Sequence, residues 1–146
     1  MSSPIPGLDA SQFTIPIEES FGGVLGIEID SFAPRGVLKA HLEVRRVLMQ
    51  PMGIVHGGIY ASVGESLASI GTVGNVISEG KVAVGQSNNT SFLRPVSGGT
   101  LHAVAEPLHM GRTTWMWQVE MFGDDEKRCA ISMVTLAVRP YEDFVK

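Results

Sequence analysis

The chain has 146 residues, a length that suits one domain with a single hydrophobic core. Apolar residues make up 44% and charged residues 18%; the net charge is −4 and there is no basic run, so no nucleic-acid partner is expected. The single cysteine, Cys129, excludes an intramolecular disulfide framework and favours a reducing compartment.

Residues 1–20 are predicted to form an irregular N-terminal arm. They lack the basic start and the apolar run of a secretory signal peptide. Residues 57–78 form the longest stretch with few charges, but they contain many serines and glycines and carry Glu65 near the middle. This segment is therefore too polar to span a membrane. We therefore expect a cytoplasmic protein with no membrane partner.

Two segments with alternating apolar and polar residues follow the arm. Residues 24–30 and 37–44 both show the period of two that is typical of a half-buried strand, and a turn at residues 34–36 separates them. The pattern predicts a β-hairpin at the start of the domain.

Residues 57–78 show helical spacing instead, with Ile59, Val63 and Leu67 on one stripe. The segment is unusually rich in glycine, alanine and serine, although glycine costs roughly 1 kcal/mol in a helix interior. Small residues on a helix allow close approach, so we expect a sheet to pack tightly against this one.

Four further strands are predicted over residues 82–93, 101–110, 113–122 and 127–138, and the first of these is unusually polar. The order is therefore two strands, one long helix and four strands. One helix with an otherwise antiparallel sheet is an α+β layer arrangement.

Glu65 is the only formally charged residue between Arg46 and Glu79. A carboxylate buried in so apolar a stretch would cost several kcal/mol without partners. Ser62 and Ser69 lie within one helical turn of Glu65 on the same face. A carboxylate beside hydroxyl groups is a candidate reactive site, and a buried ion pair is the structural alternative.

Residues 50–58 include the predicted start of the helix and contain three glycines. Free N–H groups there, assisted by the helix dipole, favour developing negative charge such as a thioester oxyanion. Glu65 lies about 12 Å further along the axis from Gly57. Since one carbonyl cannot contact both on the same chain, the spacing favours a site formed by two subunits.

The motif Val55-His56-Gly57-Gly58, followed by Glu65-Ser66, resembles the hot-dog thioesterases of the phenylacetate-degradation type and the related 4-hydroxybenzoyl-CoA thioesterase. The similarity runs over about residues 22–138 and includes residues 92–95 and 111–113. It implies a hot-dog fold, an antiparallel sheet wrapped around one long central helix. The domain is predicted over residues 21–140, between the arm at 1–20 and a C-terminal tail at 141–146.

The resemblance also implies roles for individual residues. Glu65 matches the catalytic carboxylate, acting as nucleophile or as general base, and Gly57 matches the oxyanion amide. Gln50 matches a glutamine that positions carbonyl or water, and His56 and Ser69 match the motif histidine and a hydroxyl one turn after the acid. The predicted substrate-contacting residues are Gly58, Asn89, Phe92, Arg94 and Arg112.

Phe92 departs from the family pattern, and the two arginines have a structural alternative. Some relatives carry a histidine where this chain has Phe92, so a second polar catalytic group is not expected there. Arg94 and Arg112 suit coenzyme A phosphates, although arginines in turns are usually solvated. No cluster with metal-ligand spacing is present, and neither a metal nor a cofactor is expected.

The sequence thus predicts a thioesterase that hydrolyses an acyl- or aryl-CoA thioester to the free acid and coenzyme A. Family members form dimers with a continuous sheet, often paired into tetramers, so a homo-oligomer, dimer or homotetramer, is expected. A hot-dog dehydratase or hydratase and a non-catalytic acyl-CoA-binding protein are the alternative functions.

Overall fold

One long helix and one antiparallel sheet dominate the computed structural model, which describes Asp9 and residues 14–144. The helices are α1 (Phe21–Leu25) and α2 (Gly57–Val76). The strands are β1 (Glu28–Phe32), β2 (Leu38–Glu43), β3 (Lys81–Phe92), β4 (Thr100–Met110), β5 (Thr114–Phe122) and β6 (Arg128–Pro140). They form a six-stranded sheet in the order β1-β2-β4-β5-β6-β3, with antiparallel neighbours throughout.

Helix α2 packs against β2, β3, β4, β5 and β6, which confirms the predicted arrangement of a sheet around one central helix. The predicted arm and tail fall partly outside the described residues; within them, Ile17–Glu19 and Tyr141–Asp143 form short 3-10 turns. No helix among the described residues is both long and apolar enough to cross a membrane.

The first predicted strand begins too early, because residues 21–25 form the helix α1 instead. Ser20 caps this helix by accepting a hydrogen bond from the Gly23 N–H at 3.2 Å, and Gly26 ends it with φ of 76°. Arg45 donates to the carbonyl oxygens of Val24 and Leu25, the latter at 3.0 Å. A helix of five residues is marginal by itself, so these tertiary bonds hold it.

Glycines on α2 allow the close contact with the sheet that the sequence predicts. A Cβ at Gly64 would lie 2.6 Å from the Ser132 Cβ, and a Cβ at Gly71 would lie 2.5 Å from Cη2 of Trp117. Trp117 is fully buried, and its Nε1 donates to Thr72 Oγ1 at 2.9 Å. The indole is therefore fixed against the helix by both packing and a hydrogen bond.

The polar strand β3 is explained by hydrogen bonds that tie it to α2 and β6. Asn88 Nδ2 donates to the Ala61 carbonyl oxygen at 2.8 Å. Thr90 Oγ1 donates to Asn88 Oδ1 and lies 2.7 Å from Ser132 Oγ. These side chains satisfy one another in a region where an unpaired polar group would destabilise the fold.

The apolar face of β5 is buried as its alternation predicts, with Trp115, Trp117, Val119 and Met121 all in the core. The register between β4 and β5 shifts between Pro107 and His109, which places a bulge next to the proline of β4. Cys129 is fully buried, as expected for a packed thiol.

We predict that Gly71→Ala destabilises the protein, although alanine is the better helix former. Trp117 occupies the space that the new methyl group needs, and overpacking of this kind typically costs about 1–3 kcal/mol. Urea denaturation should show a lower midpoint with an unchanged m value. A raised midpoint would mean that the helix and sheet separate easily at this point.

Candidate active site

Among the described residues, one N–H group at the N-terminus of α2 has no acceptor. His56 Nδ1 accepts a hydrogen bond from the Gly58 N–H at 2.9 Å, and the His56 carbonyl oxygen accepts from the Ile59 N–H at 2.9 Å. The remaining N–H of this first turn, that of Gly57, has no acceptor among the described residues. It stands at the positive end of a 20-residue helix, where negative charge is stabilised.

A tight loop places Gln50 next to this end of the helix. The Gln50 N–H donates to the Ile54 carbonyl oxygen and the Gly53 N–H donates to that of Gln50, both at 2.9 Å. Gly53 has φ of 78°, a conformation that favours glycine. The Val55 N–H donates to Val96 at 2.8 Å, which fastens the loop to the chain after β3.

Gln50 and Gly57 share a cavity of about 410 Å³, which we call the entrance cavity. It is lined by Gln50, Ile54, Val55, Gly57, Tyr60, Phe92, Leu93, Arg94 and Pro95. The Phe92 ring lies directly over Gly57, since a Cβ there would meet its Cζ at 3.0 Å. Phe92 is 58% exposed, so the ring is held only on the side that faces the helix.

Tyr60 is a lining residue that the sequence did not single out. Its ring packs beside Phe92 with centroids 6.1 Å apart, and its side chain is buried. Among the described residues, its hydroxyl is the one buried side-chain oxygen or nitrogen without a hydrogen-bond partner. Burial raises the pKa of the Tyr60 phenol, and the neighbouring Cys129 thiol raises it further. The hydroxyl therefore stays protonated.

Glu65 lines a second cavity of about 450 Å³, the Glu65 cavity. Its walls are Phe21, Gly22, Ser62, Glu65, Ser66, Ser69 and Ile70. The predicted neighbours Ser62 and Ser69 are therefore present, and α1 forms the opposite wall. The expectation that the carboxylate is buried is wrong for the single chain, because Glu65 is exposed. The buried side of α2 includes Gly64, Ala68 and Gly71, and Glu65 does not belong to it.

No residue lines both cavities. Gly57 and Glu65 are eight residues apart on α2, or about 12 Å along the axis. The predicted site residues thus fall into two groups, Gln50 and Gly57 at the start of the helix and Glu65 and Ser69 further along it.

The other predicted residues occupy more scattered positions. Arg94 is exposed at the entrance cavity, whereas Arg112 lies in the β4–β5 turn and lines neither cavity. Gly58 has its N–H bound by the His56 ring. Asn89 is exposed, and it is the adjacent Asn88 that reaches α2.

Two histidines outside these cavities pair with carboxylates. His41 Nδ1 lies 2.7 Å from Asp30 Oδ1, and His102 Nε2 lies 3.0 Å from Asp124 Oδ1. The Thr100 N–H and then His102 lower the pKa of Asp124. Within the described part of the chain, no group of three or more His, Cys, Asp or Glu side chains is arranged to hold a metal ion.

One long helix enclosed by a six-stranded antiparallel sheet is the hot-dog fold. The sequence pattern of the thioesterase superfamily matches residues 52–130. The chain belongs to the thioesterase superfamily, which confirms the resemblance stated above and supports thioester hydrolysis in general terms.

Individual relatives agree with this assignment. A thioesterase from Haemophilus influenzae superposes with a TM-score of 0.80 at 34% identity, covering 86% of each chain. A mutant thioesterase from Pseudomonas aeruginosa gives 0.81 at 34% identity, covering 92% of this chain and 96% of the other. The 1,4-dihydroxy-2-naphthoyl-CoA hydrolase of Listeria monocytogenes is 34% identical over 115 residues, which are 79% of this chain and 92% of that protein.

We predict that His56→Ala lowers the free energy of unfolding by about 1 kcal/mol, the usual value of a helix N-cap. The ring supplies the acceptor for the Gly58 N–H, and alanine has none. His56→Asn is the matched control, because asparagine is a good N-cap and should retain most of the stability. Equal losses in both variants, measured by urea denaturation, would contradict the capping role.

Proposed function

We propose that this protein hydrolyses acyl- or aryl-CoA thioesters, with Glu65 as its catalytic carboxylate. The observation that carries the proposal is the open Gly57 N–H at the start of α2 together with the accessible Glu65 carboxylate on the same helix. The name of the Listeria relative, a CoA-thioester hydrolase, supports coenzyme A as the thiol part of the substrate.

The entrance cavity supplies the groups that polarise the thioester. The Gly57 N–H donates to the carbonyl oxygen and stabilises the charge that develops on it, and the helix dipole adds to this effect. Gln50 lines the same cavity, and its side-chain amide orients the carbonyl or the attacking water. The exposed Arg94 at the rim contacts coenzyme A phosphates.

The Glu65 cavity supplies the attacking group. The carboxylate either attacks the carbonyl carbon, forming an anhydride that water then hydrolyses, or removes a proton from the attacking water. In both routes the thiolate of coenzyme A leaves and takes up a proton. Ser69, one turn after Glu65, provides a hydroxyl that positions the carboxylate or the water. Single-turnover hydrolysis in ¹⁸O-labelled water distinguishes the routes.

Because about 12 Å separates the two groups on one helix, we propose that each site combines the entrance cavity of one subunit with the Glu65 cavity of its partner. Strand β3 is an edge strand within the chain, so its outer side is open to pairing with a second copy. The proposed unit is therefore a homodimer or a larger homo-oligomer.

We predict that Glu65→Gln lowers kcat by about 10²–10⁴-fold on acyl-CoA and aryl-CoA substrates, measured as free thiol release. The change keeps the size of the side chain but removes its charge and basicity. Glu106→Gln, the same change on the exposed side of β4, is the control and should retain turnover. Near wild-type kcat in folded Glu65→Gln would end the assignment of Glu65 as the catalytic carboxylate. No thiol release by the wild-type protein would instead favour the alternative of acyl-CoA binding without hydrolysis.

Complementation tests the division of the site between subunits. Gly57→Val should block approach to the N–H, so Gly57→Val and Glu65→Gln should each be inactive alone. Random co-assembly should restore about one quarter of the sites in a dimer, because one site of each mixed dimer carries both substitutions and the other carries neither. Activity restored in co-expressed mixtures supports shared sites. No recovery, with mixed dimers shown by mass spectrometry, would place each site within one chain.

A further inference from the structure

Strand β3 passes close to the side chain of Glu65 at Gly85. A Cβ built on Gly85 would lie 2.6 Å from Glu65 Oε1 and 3.2 Å from its Cδ. Both are closer than side-chain carbon atoms normally approach, so the Glu65 carboxylate occupies the space that any other residue at position 85 would fill. The carboxylate thus lies directly against the backbone of β3.

The backbone of β3 is irregular at the same point. Gly85 pairs with Leu136 of β6, but the next paired residue is Ser87, with Thr135, so Gln86 forms a bulge. Bulges bend a strand and re-aim side chains, and they are common beside active sites. The bulge and the glycine together bring the strand backbone towards the side chain of Glu65.

The backbone conformation does not require glycine at this position. Gly26, Gly53, Gly80 and Gly99 have positive φ values, and Gly85 is not among them. A glycine inside a strand loses more conformational entropy on folding than alanine would. The relevant property of Gly85 is therefore that it has no Cβ. The space that a Cβ would fill is occupied by Glu65 Oε1.

We infer that Gly85 is a positioning residue, which seats the Glu65 carboxylate against the bulge of β3 in the orientation needed for attack on the thioester. The inference rests on the proposed function, in which Glu65 is the catalytic group. The carboxylate is the far end of a flexible, exposed side chain, so a Cβ at position 85 displaces it without disrupting the core.

The test begins with Gly85→Ala and a matched control. Displacement of a reacting group by about 1 Å costs on the order of a hundredfold in rate, so kcat should fall by about ten- to a hundredfold. KM should stay within about twofold, because coenzyme A is held elsewhere. Gly98→Ala is the control: no atom lies within 4 Å of its Cβ position, and it lines neither cavity.

A second-site variant separates positioning from a structural defect. Glu65→Asp withdraws the carboxylate by one methylene, which removes the collision with a Cβ at position 85. Adding Gly85→Ala to Glu65→Asp should therefore reduce kcat by less than about threefold, far below its effect on the wild-type protein. A full, multiplicative loss in the double variant would overturn the inference, as would wild-type kcat in Gly85→Ala.

A crystal structure of Gly85→Ala and the turnover of Glu65→Gln provide two further tests. In Gly85→Ala, the carboxylate should move by about 1 Å or more while α2 stays in place; an unmoved carboxylate contradicts the inference. If Glu65→Gln is inactive and Gly85→Ala fully active, only the positioning role fails. If Glu65→Gln retains full turnover, the proposed catalytic role of Glu65 fails and the positioning role of Gly85 fails with it.

Discussion

The close contact between α2 and the sheet is the constraint on which the remainder of the structure depends. Ser132 and Trp117 occupy the positions that side chains at Gly64 and Gly71 would take, so the sheet approaches the helix most closely where the helix carries glycine. Thr72, on the same side, is buried and accepts a hydrogen bond from the Trp117 indole. Ser62, Glu65 and Ser69 instead line the Glu65 cavity, and one helix carries both Gly57 and Glu65.

Sequence patterns predict the regular parts of this fold well and its local exceptions poorly. The long helix and the order of the helix and the later strands along the chain follow from periodicity and from the positions of glycine and proline. Helix α1 does not, because residues 24–30 alternate as a strand would. Its stability comes from Arg45, which lies about 20 residues further along the chain and donates to the carbonyl oxygen of Leu25. A pattern read over a short window contains no such contact.

Some residues of the candidate site could likewise be predicted from the sequence, and others could not. Glu65 is detectable because it is a lone charge in an apolar stretch, and the glycine-rich entry to the helix marks Gly57. Gly85 and Asn88 have no comparable signal, since their importance depends on the register of β3 and on which of its residues face α2. A shift of one position along a strand exchanges its two faces, so Asn88 and Asn89 are indistinguishable before the bulge at Gln86 is known.

The exposure of the candidate residues in a single chain gives a physical reason why the proposed activity would require a second subunit. Stabilisation of an oxyanion is strong only where water is excluded and the dielectric is low. In one chain the Glu65 carboxylate is exposed, and the Phe92 ring that packs over Gly57 is itself 58% exposed. Under the two-subunit proposal, docking of a second copy covers both groups as it brings them together. Under this proposal, the active site forms only when two subunits pair. A monomer contains all the required residues, but it does not bring them together.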